Sequence, residues 1–123
     1  MKFLSIYKSV ERGVPPSQEE MSRMGQLIEK EMKAGTLLAT EGCLPSALGA
    51  RVRISGGKLT VTDGPFTEAK EVIGGYAVYQ VKSKAEALEW TRRFMELHRE
   101  HWKSWEGESE IRQLFDATDF APR

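Results

Sequence analysis

The sequence predicts a single α+β domain, built as a β-α-β unit, an inserted hairpin and a second β-α-β unit. Three observations carry that expectation. Two segments repeat apolar residues at helical spacing behind capping boxes, Ser17-Gln18-Glu19-Glu20 and Ser83-Lys84-Ala85-Glu86. Around them lie short runs that alternate in polarity or are rich in β-branched and aromatic residues. The chain is 123 residues long, which suits one domain over 1–123 and leaves no room for a second.

Lys2 to Tyr7 opens the chain as a strand, with Phe3, Ser5 and Tyr7 on one face and Leu4 and Ile6 on the other. Gly13, Pro15 and Pro16 break it. Ser17 then caps a helix, with Glu20 expected to reach back to the cap. Met21, Met24, Leu27, Ile28 and Met32 recur along that helix as one apolar stripe, and Gly35 supplies its stop. Leu37 to Leu44 reads as a second strand, ended by Pro45. Arg51 to Ile54 and Lys58 to Thr62 flank Ser55-Gly56-Gly57 as a hairpin. Asp63-Gly64-Pro65-Phe66 makes a turn, Thr67 to Glu71 a polar loop, and Val72 to Val81 a long strand entered through Gly74-Gly75. The second helix is expected to bury Ala87, Leu88, Thr91, Phe94, Met95 and Trp102. Arg92, Arg93, Arg99 and Lys103 crowd its later turns, where cations suit the helix dipole. Trp105 to Glu108 reads as a loop and Glu110 to Asp116 as the last strand.

Two right-handed β-α-β units sharing one antiparallel sheet make the ferredoxin-like βαββαβ plan, here with a hairpin insertion. Two helices cover one face of such a sheet. The other presents either Tyr76 and Val78 or Ala77 and Tyr79, and a two-fold partner offering the same face is its commonest cover. A homodimer closing into a dimeric α/β barrel is therefore expected.

Composition narrows the function classes. The 18 Lys and Arg balance 18 Asp and Glu, so the chain lacks the net positive charge that drives binding to a nucleic-acid backbone. No apolar run approaches the roughly 20 residues that span a bilayer. Lys8, Glu11 and Arg12 interrupt the apolar opening too soon for a secretory signal. A cytoplasmic protein with neither a nucleic-acid nor a membrane partner is expected. Cys43 is the only cysteine, which excludes an internal disulfide and a cysteine metal cluster.

The run VTDGPFTEAKEVIGGYAVYQVKSKAEALEW, Val61 to Trp90, resembles the signature of the YCII-related superfamily in its DGPF-type branch. Upstream, Glu41-Gly42-Cys43-Leu44-Pro45 is similar to that branch's GEGLxP step, and FMELHREHWKSWEGESEIRQLF is similar to a subgroup with a longer tail. The resemblance covers nearly the whole chain and implies a dimeric α/β barrel of ferredoxin-like protomers. It also implies a proposed His–Asp acid/base pair whose histidine falls in the first helix. This chain departs there: it carries Met24, and no histidine precedes His98.

Candidate site residues cluster at and behind the turn. Asp63 and Glu68 are candidate catalytic carboxylates, a pair whose pKa values separate if the loop folds over a cleft. The other reading makes Asp63 a turn-forming residue bonded to a backbone amide. Tyr7, Glu41, Phe66, Lys70 and Glu71 are candidate ligand-binding residues. Lys70 suits an anionic ligand or a solvated loop, and Glu41 either points inward with a cationic partner or faces outward from its strand. His98 and His101 share a helix face, but no third ligand stands at metal-binding spacing, so no metal and no cofactor are expected. The sequence leaves the question of enzymatic activity open. It supports two classes: cofactor-free proton transfer on a small molecule of unidentified structure, by elimination or isomerisation, with Tyr7 as a hydrogen-bond donor, or a non-catalytic ligand-binding or interaction module.

Overall fold

The computed structural model describes residues 1–11, 16–66, 71–101 and 105–116. The elements follow in the order β1 (Lys2–Ser9), α1 (Gln18–Lys33), β2 (Leu37–Gly42), β3 (Ala50–Ser55), β4 (Lys58–Asp63), β5 (Val72–Gln80), α2 (Lys84–His101) and β6 (Gly107–Gln113). A single 3₁₀ turn, Ser46–Leu48, lies between β2 and β3. Both helices begin where the capping boxes predict. Ser17 Oγ accepts from Glu20 N, and Ser83 Oγ accepts from Glu86 N, relieving orphan amides of each first turn.

Four strands form one antiparallel sheet in the order β2-β5-β1-β6. That is the ferredoxin-like arrangement, with β3 and β4 paired outside it as a separate two-stranded ribbon closed by Gly56 and Gly57 at positive φ. Register assigns the faces. Phe3 pairs Tyr79, Ser5 pairs Ala77, and Ile111 lies opposite Ser5. These residues turn toward the helices, where Phe3, Leu37, Tyr79, Val81 and Ala87 form the buried core against Ile28 and Trp90. Alternation sends Leu4, Ile6, Tyr76 and Val78 to the opposite face, which no helix among the described residues covers. The sequence had left two registers open, and the structure selects Tyr76 and Val78 for that uncovered side.

Three local expectations need correction. The last strand starts at Gly107 rather than Glu110, because its polar residues 107–109 pair in register with Tyr7, Lys8 and Ser9 of β1. A partner strand, not side-chain hydrophobicity, extends this edge strand. Leu88 is exposed on α2, whereas Ala87 and Thr91 are buried as expected. The third correction concerns α1. Met21 and Met32, expected inside, are 59% and 43% exposed, whereas Glu20 and Glu31 are 3% and 4% exposed. The helix is rotated so that Glu20, Met24, Leu27, Ile28 and Glu31 form its inner stripe, a set that also satisfies helical periodicity. Two carboxylates are thus carried inside while two thioethers meet water.

Candidate functional site

Burying a carboxylate is costly unless something answers it. Glu20 is answered by a residue from the far end of the other helix. Its Oε1 lies 3.7 Å from Nε2 of His98, which is itself 5% exposed. Glu20 therefore does not reach back to its own cap, as the capping-box pattern predicts; its carboxylate turns inward instead. The other ring nitrogen, Nδ1, is 3.0 Å from the Phe94 carbonyl oxygen. A carbonyl only accepts, so this bond places a hydrogen on Nδ1 and leaves Nε2 facing the carboxylate.

Aromatic rings enclose the pair. Tyr7 stacks on Trp105 at 5.7 Å between centroids and 19° between planes, meets Phe94 edge-on at 5.5 Å, and lies 5.3 Å from His98. His98 is 4.6 Å from both Phe94 and Trp105. Tyr7 reaches this position because β5 carries a bulge: Tyr7 pairs Gly75, the next residue Lys8 pairs Ile73, and Gly74 is left over. A Cβ on Gly74 would sit 2.3 Å from Cε1 of Tyr7, so only glycine leaves space for the ring. The first glycine of the GGY run is therefore a seat for Tyr7. Burial is the main cause pushing the Tyr7 phenol above its ordinary pKa; a bond with Ser9 opposes this and the charge of Glu20 adds to it. The ring is thereby kept as a neutral O–H donor.

Trp105 also lines a groove of about 330 Å³ beside α2 and the start of β6, with Arg92, Met95, Glu96 and Arg99 along its wall. A second cavity, about 30 Å³, lies between α1, α2 and the sheet. Phe94 borders this inner cavity and touches both Tyr7 and His98.

The region of the DGPF turn is organised differently. Asp63 ends β4 opposite Ala50 and is exposed. Gly64 N donates to Gly49 O at 2.9 Å, and a Cβ on Gly64 would collide with the Ser46 carbonyl oxygen at 1.7 Å. Ser46 is the knot of this region: its N donates to Glu11 Oε2 at 2.6 Å, its hydroxyl donates to Glu11 Oε1, and the same oxygen accepts from Phe66 N at 3.1 Å. Those bonds hold the Glu11 carboxyl below the usual carboxylate range, the Ser46 hydroxyl contributing most. Phe66 lies beneath Arg51, whose guanidinium carbon is 3.8 Å from the ring centroid. Glu71, just before β5, has Oε2 buried without a hydrogen-bond partner among the described residues. Glu41 is exposed and pairs Tyr76, so it faces outward from β2. Glu68 and Lys70 lie outside the described residues. His101 does not share the role of His98; its Nε2 is buried without a hydrogen-bond partner among the described residues and stands 3.9 Å from Glu100.

Of the described residues proposed from sequence as catalytic or ligand-binding, Tyr7 alone enters the buried cluster. Glu20 and Phe94 were read there only as cap and core, and His98 only as packing or half of a metal pair. The available signal was Glu20 at the third position of a helix: it fits the inner stripe as well as the cap.

Comparison with known proteins gives two findings. The model of the YCII-related domain matches residues 1–103. An uncharacterised protein of Rhizobium meliloti (strain 1021) is 34% identical over 80 residues, a stretch that covers 62% of this chain and 64% of that protein. The match thus spans less than two thirds of that relative's length.

Proposed function

This chain belongs to the YCII-related domain family, and on that premise we propose that it is a DGPF-type member performing cofactor-free proton transfer on a small molecule, as a homodimer. The observation that carries the chemistry is the His98–Glu20 pair, buried beneath Tyr7. The acid/base pair implied by the family resemblance requires a histidine in the first helix, where this chain has Met24. A histidine from α2 meeting a carboxylate from α1 restores the same pairing of groups by another route. The ligand enters from the groove beside Trp105. The Glu20 carboxylate, held in place by His98, takes the proton from carbon, and the neutral Tyr7 hydroxyl donates a hydrogen bond to the oxygen on which charge develops. The proton returned to a neighbouring carbon gives isomerisation; loss of a β-substituent gives elimination.

The dimer reading is supported by two apolar surfaces left open on the protomer. The uncovered sheet face with Leu4, Ile6, Tyr76 and Val78, and the hairpin face with the exposed Val52, Ile54, Leu59 and Val61, are the surfaces a second copy shields.

The test of the chemistry needs no known substrate. A panel of small 2-oxo acids and 1,3-dicarbonyls is incubated in D₂O, and loss of the α-proton signals is followed by NMR. The proposal expects exchange above buffer with at least one compound, lost in His98→Gln and reduced in Tyr7→Phe, and kept in Asp63→Asn. Exchange that survives His98→Gln, or that disappears in Asp63→Asn with the fold intact, moves the chemistry to the turn. Light scattering in dilute buffer checks the assembly: a mass near twice 13.9 kDa is expected, and the mass of one protomer contradicts the dimer.

A further inference from the structure

The second inward carboxylate, Glu31, is not used by that reading. It is 4% exposed, borders the inner cavity, and makes no side-chain hydrogen bond or ion pair among the described residues. Its carboxylate oxygens keep contact with solvent, so a cation reaches them from outside while the rest of the side chain lines the cavity. The walls around it have a definite chemistry. Tyr79, Trp90 and Phe94 present aromatic rings to the cavity, Met24 adds a thioether, and Thr40 adds a hydroxyl. Thr40 Oγ1 already donates to the Tyr76 carbonyl at 2.9 Å, so what remains on that oxygen is its capacity to accept. The cavity is therefore rich in acceptors and π-faces, with one carboxylate at its edge. It asks for a compact cation that carries N–H donors.

We propose that this cavity between α1, α2 and the sheet binds a small ammonium group, held by the Glu31 carboxylate and caged by Tyr79, Trp90 and Phe94. Charge pairing and cation–π attraction act together in such a partly enclosed cage. Size agrees: about 30 Å³ accommodates roughly two water-sized atoms, the dimensions of methylammonium or of the head of a longer primary amine. Thr40 accepts one N–H and Glu31 another. Arg93 lies 4.6 Å from the Trp90 ring and is paired with Glu89 at the surface, so its charge is already met outside the cavity. The placement also accounts for the rotation of α1, because the helix face that carries Glu20 to His98 carries Glu31 to this cage.

The test is calorimetric titration of the full-length protein with methylammonium chloride at constant ionic strength, with the Trp90 indole N–H followed by NMR. Saturable binding at one site per protomer is expected, with a shift of the Trp90 signal. Glu31→Gln is expected to weaken it by about tenfold or more, and methanol, similar in size but uncharged, is expected not to compete. The absence of saturable binding overturns the proposal, as does methanol binding equally well or undiminished binding by Glu31→Gln. Should Glu31→Gln fail to fold, the comparison of methylammonium with methanol on the unaltered protein decides. Failure here leaves the His98–Glu20 reading untouched, because the two rest on different carboxylates.

Discussion

The turn at Asp63–Phe66 and the cluster around Tyr7 are both products of one sequence motif, and they use it in opposite ways. At the turn, close contacts are made by backbone and by Ser46, and the carboxylate of Asp63 is left in solvent. At the cluster, Gly74 gives up its side chain so that Tyr7 can sit against His98 and Trp105, and the ionisable groups are withdrawn from water. A recognisable motif thus marks where the chain is sterically constrained. Its chemical consequence appears elsewhere, where the space left by glycine is filled.

The sharpest way to break this contrast is to refill that space. Gly74→Val drives a side chain into the Tyr7 ring and is expected to cost about 3 kcal/mol or more, read as a fall in the urea midpoint. Removing a partner within the cluster comes next: His98→Ala leaves Glu20 buried without an answer and is expected to cost about 3 kcal/mol. At the turn the counterpart is Ser46→Ala, which removes the hydroxyl bonds to Glu11 and Phe66. Ser46 is half-buried rather than enclosed, and its loss is expected to cost about 1 kcal/mol. If Ser46→Ala proves as damaging as His98→Ala, the turn is no peripheral knot and the contrast fails.

The two regions also titrate at opposite ends of the pH scale. Tyr7 and Tyr79 have pKa values raised in the fold, chiefly by burial. An acid with a raised folded pKa contributes stability that is intact below its unfolded pKa and is lost as pH rises toward the folded value. The cluster is therefore expected to weaken in alkali, with the phenolate absorbance of Tyr7 and Tyr79 appearing above the ordinary tyrosine range. Glu11 is lowered by its bonds to Ser46. Its contribution is present above the unfolded carboxylate pKa and is lost as pH falls through the folded value, so the Ser46 and Phe66 amides are expected to shift first in acid. Simultaneous loss of both regions at one end of the scale contradicts this assignment.

The smallest effect tests the rotation of α1. Met21→Glu, on the outer face, is expected to change stability by less than about 0.5 kcal/mol; a core-sized loss would return the helix to the apolar stripe read from the sequence.

Much of the architecture was legible because it rests on local chemistry. Both capping serines, the glycine-closed hairpin and the β-branched run 72–80 each announce themselves within a few residues. The order of elements then leaves little choice of sheet. What the sequence did not disclose depends on residues far apart in the chain. Periodicity alone admits both the methionine stripe and the glutamate stripe on α1, and hydrophobicity favours the former. The deciding fact, a histidine on α2 opposite Glu20, has no local trace. In β6, polar residues 107–109 look like a loop until β1 is beside them. Local rules were overridden where the chain places charge inside, and such conflicts concentrate at functional sites.

The central claim is that Glu20 and His98 act on one another inside the protein, and a double-mutant cycle measures it directly. Stabilities of Glu20→Gln, His98→Gln and the double variant are compared with the unaltered chain by urea denaturation. A coupling of about 1 kcal/mol or more is predicted, and additivity within about 0.3 kcal/mol would contradict the pairing on which the proposed chemistry is built.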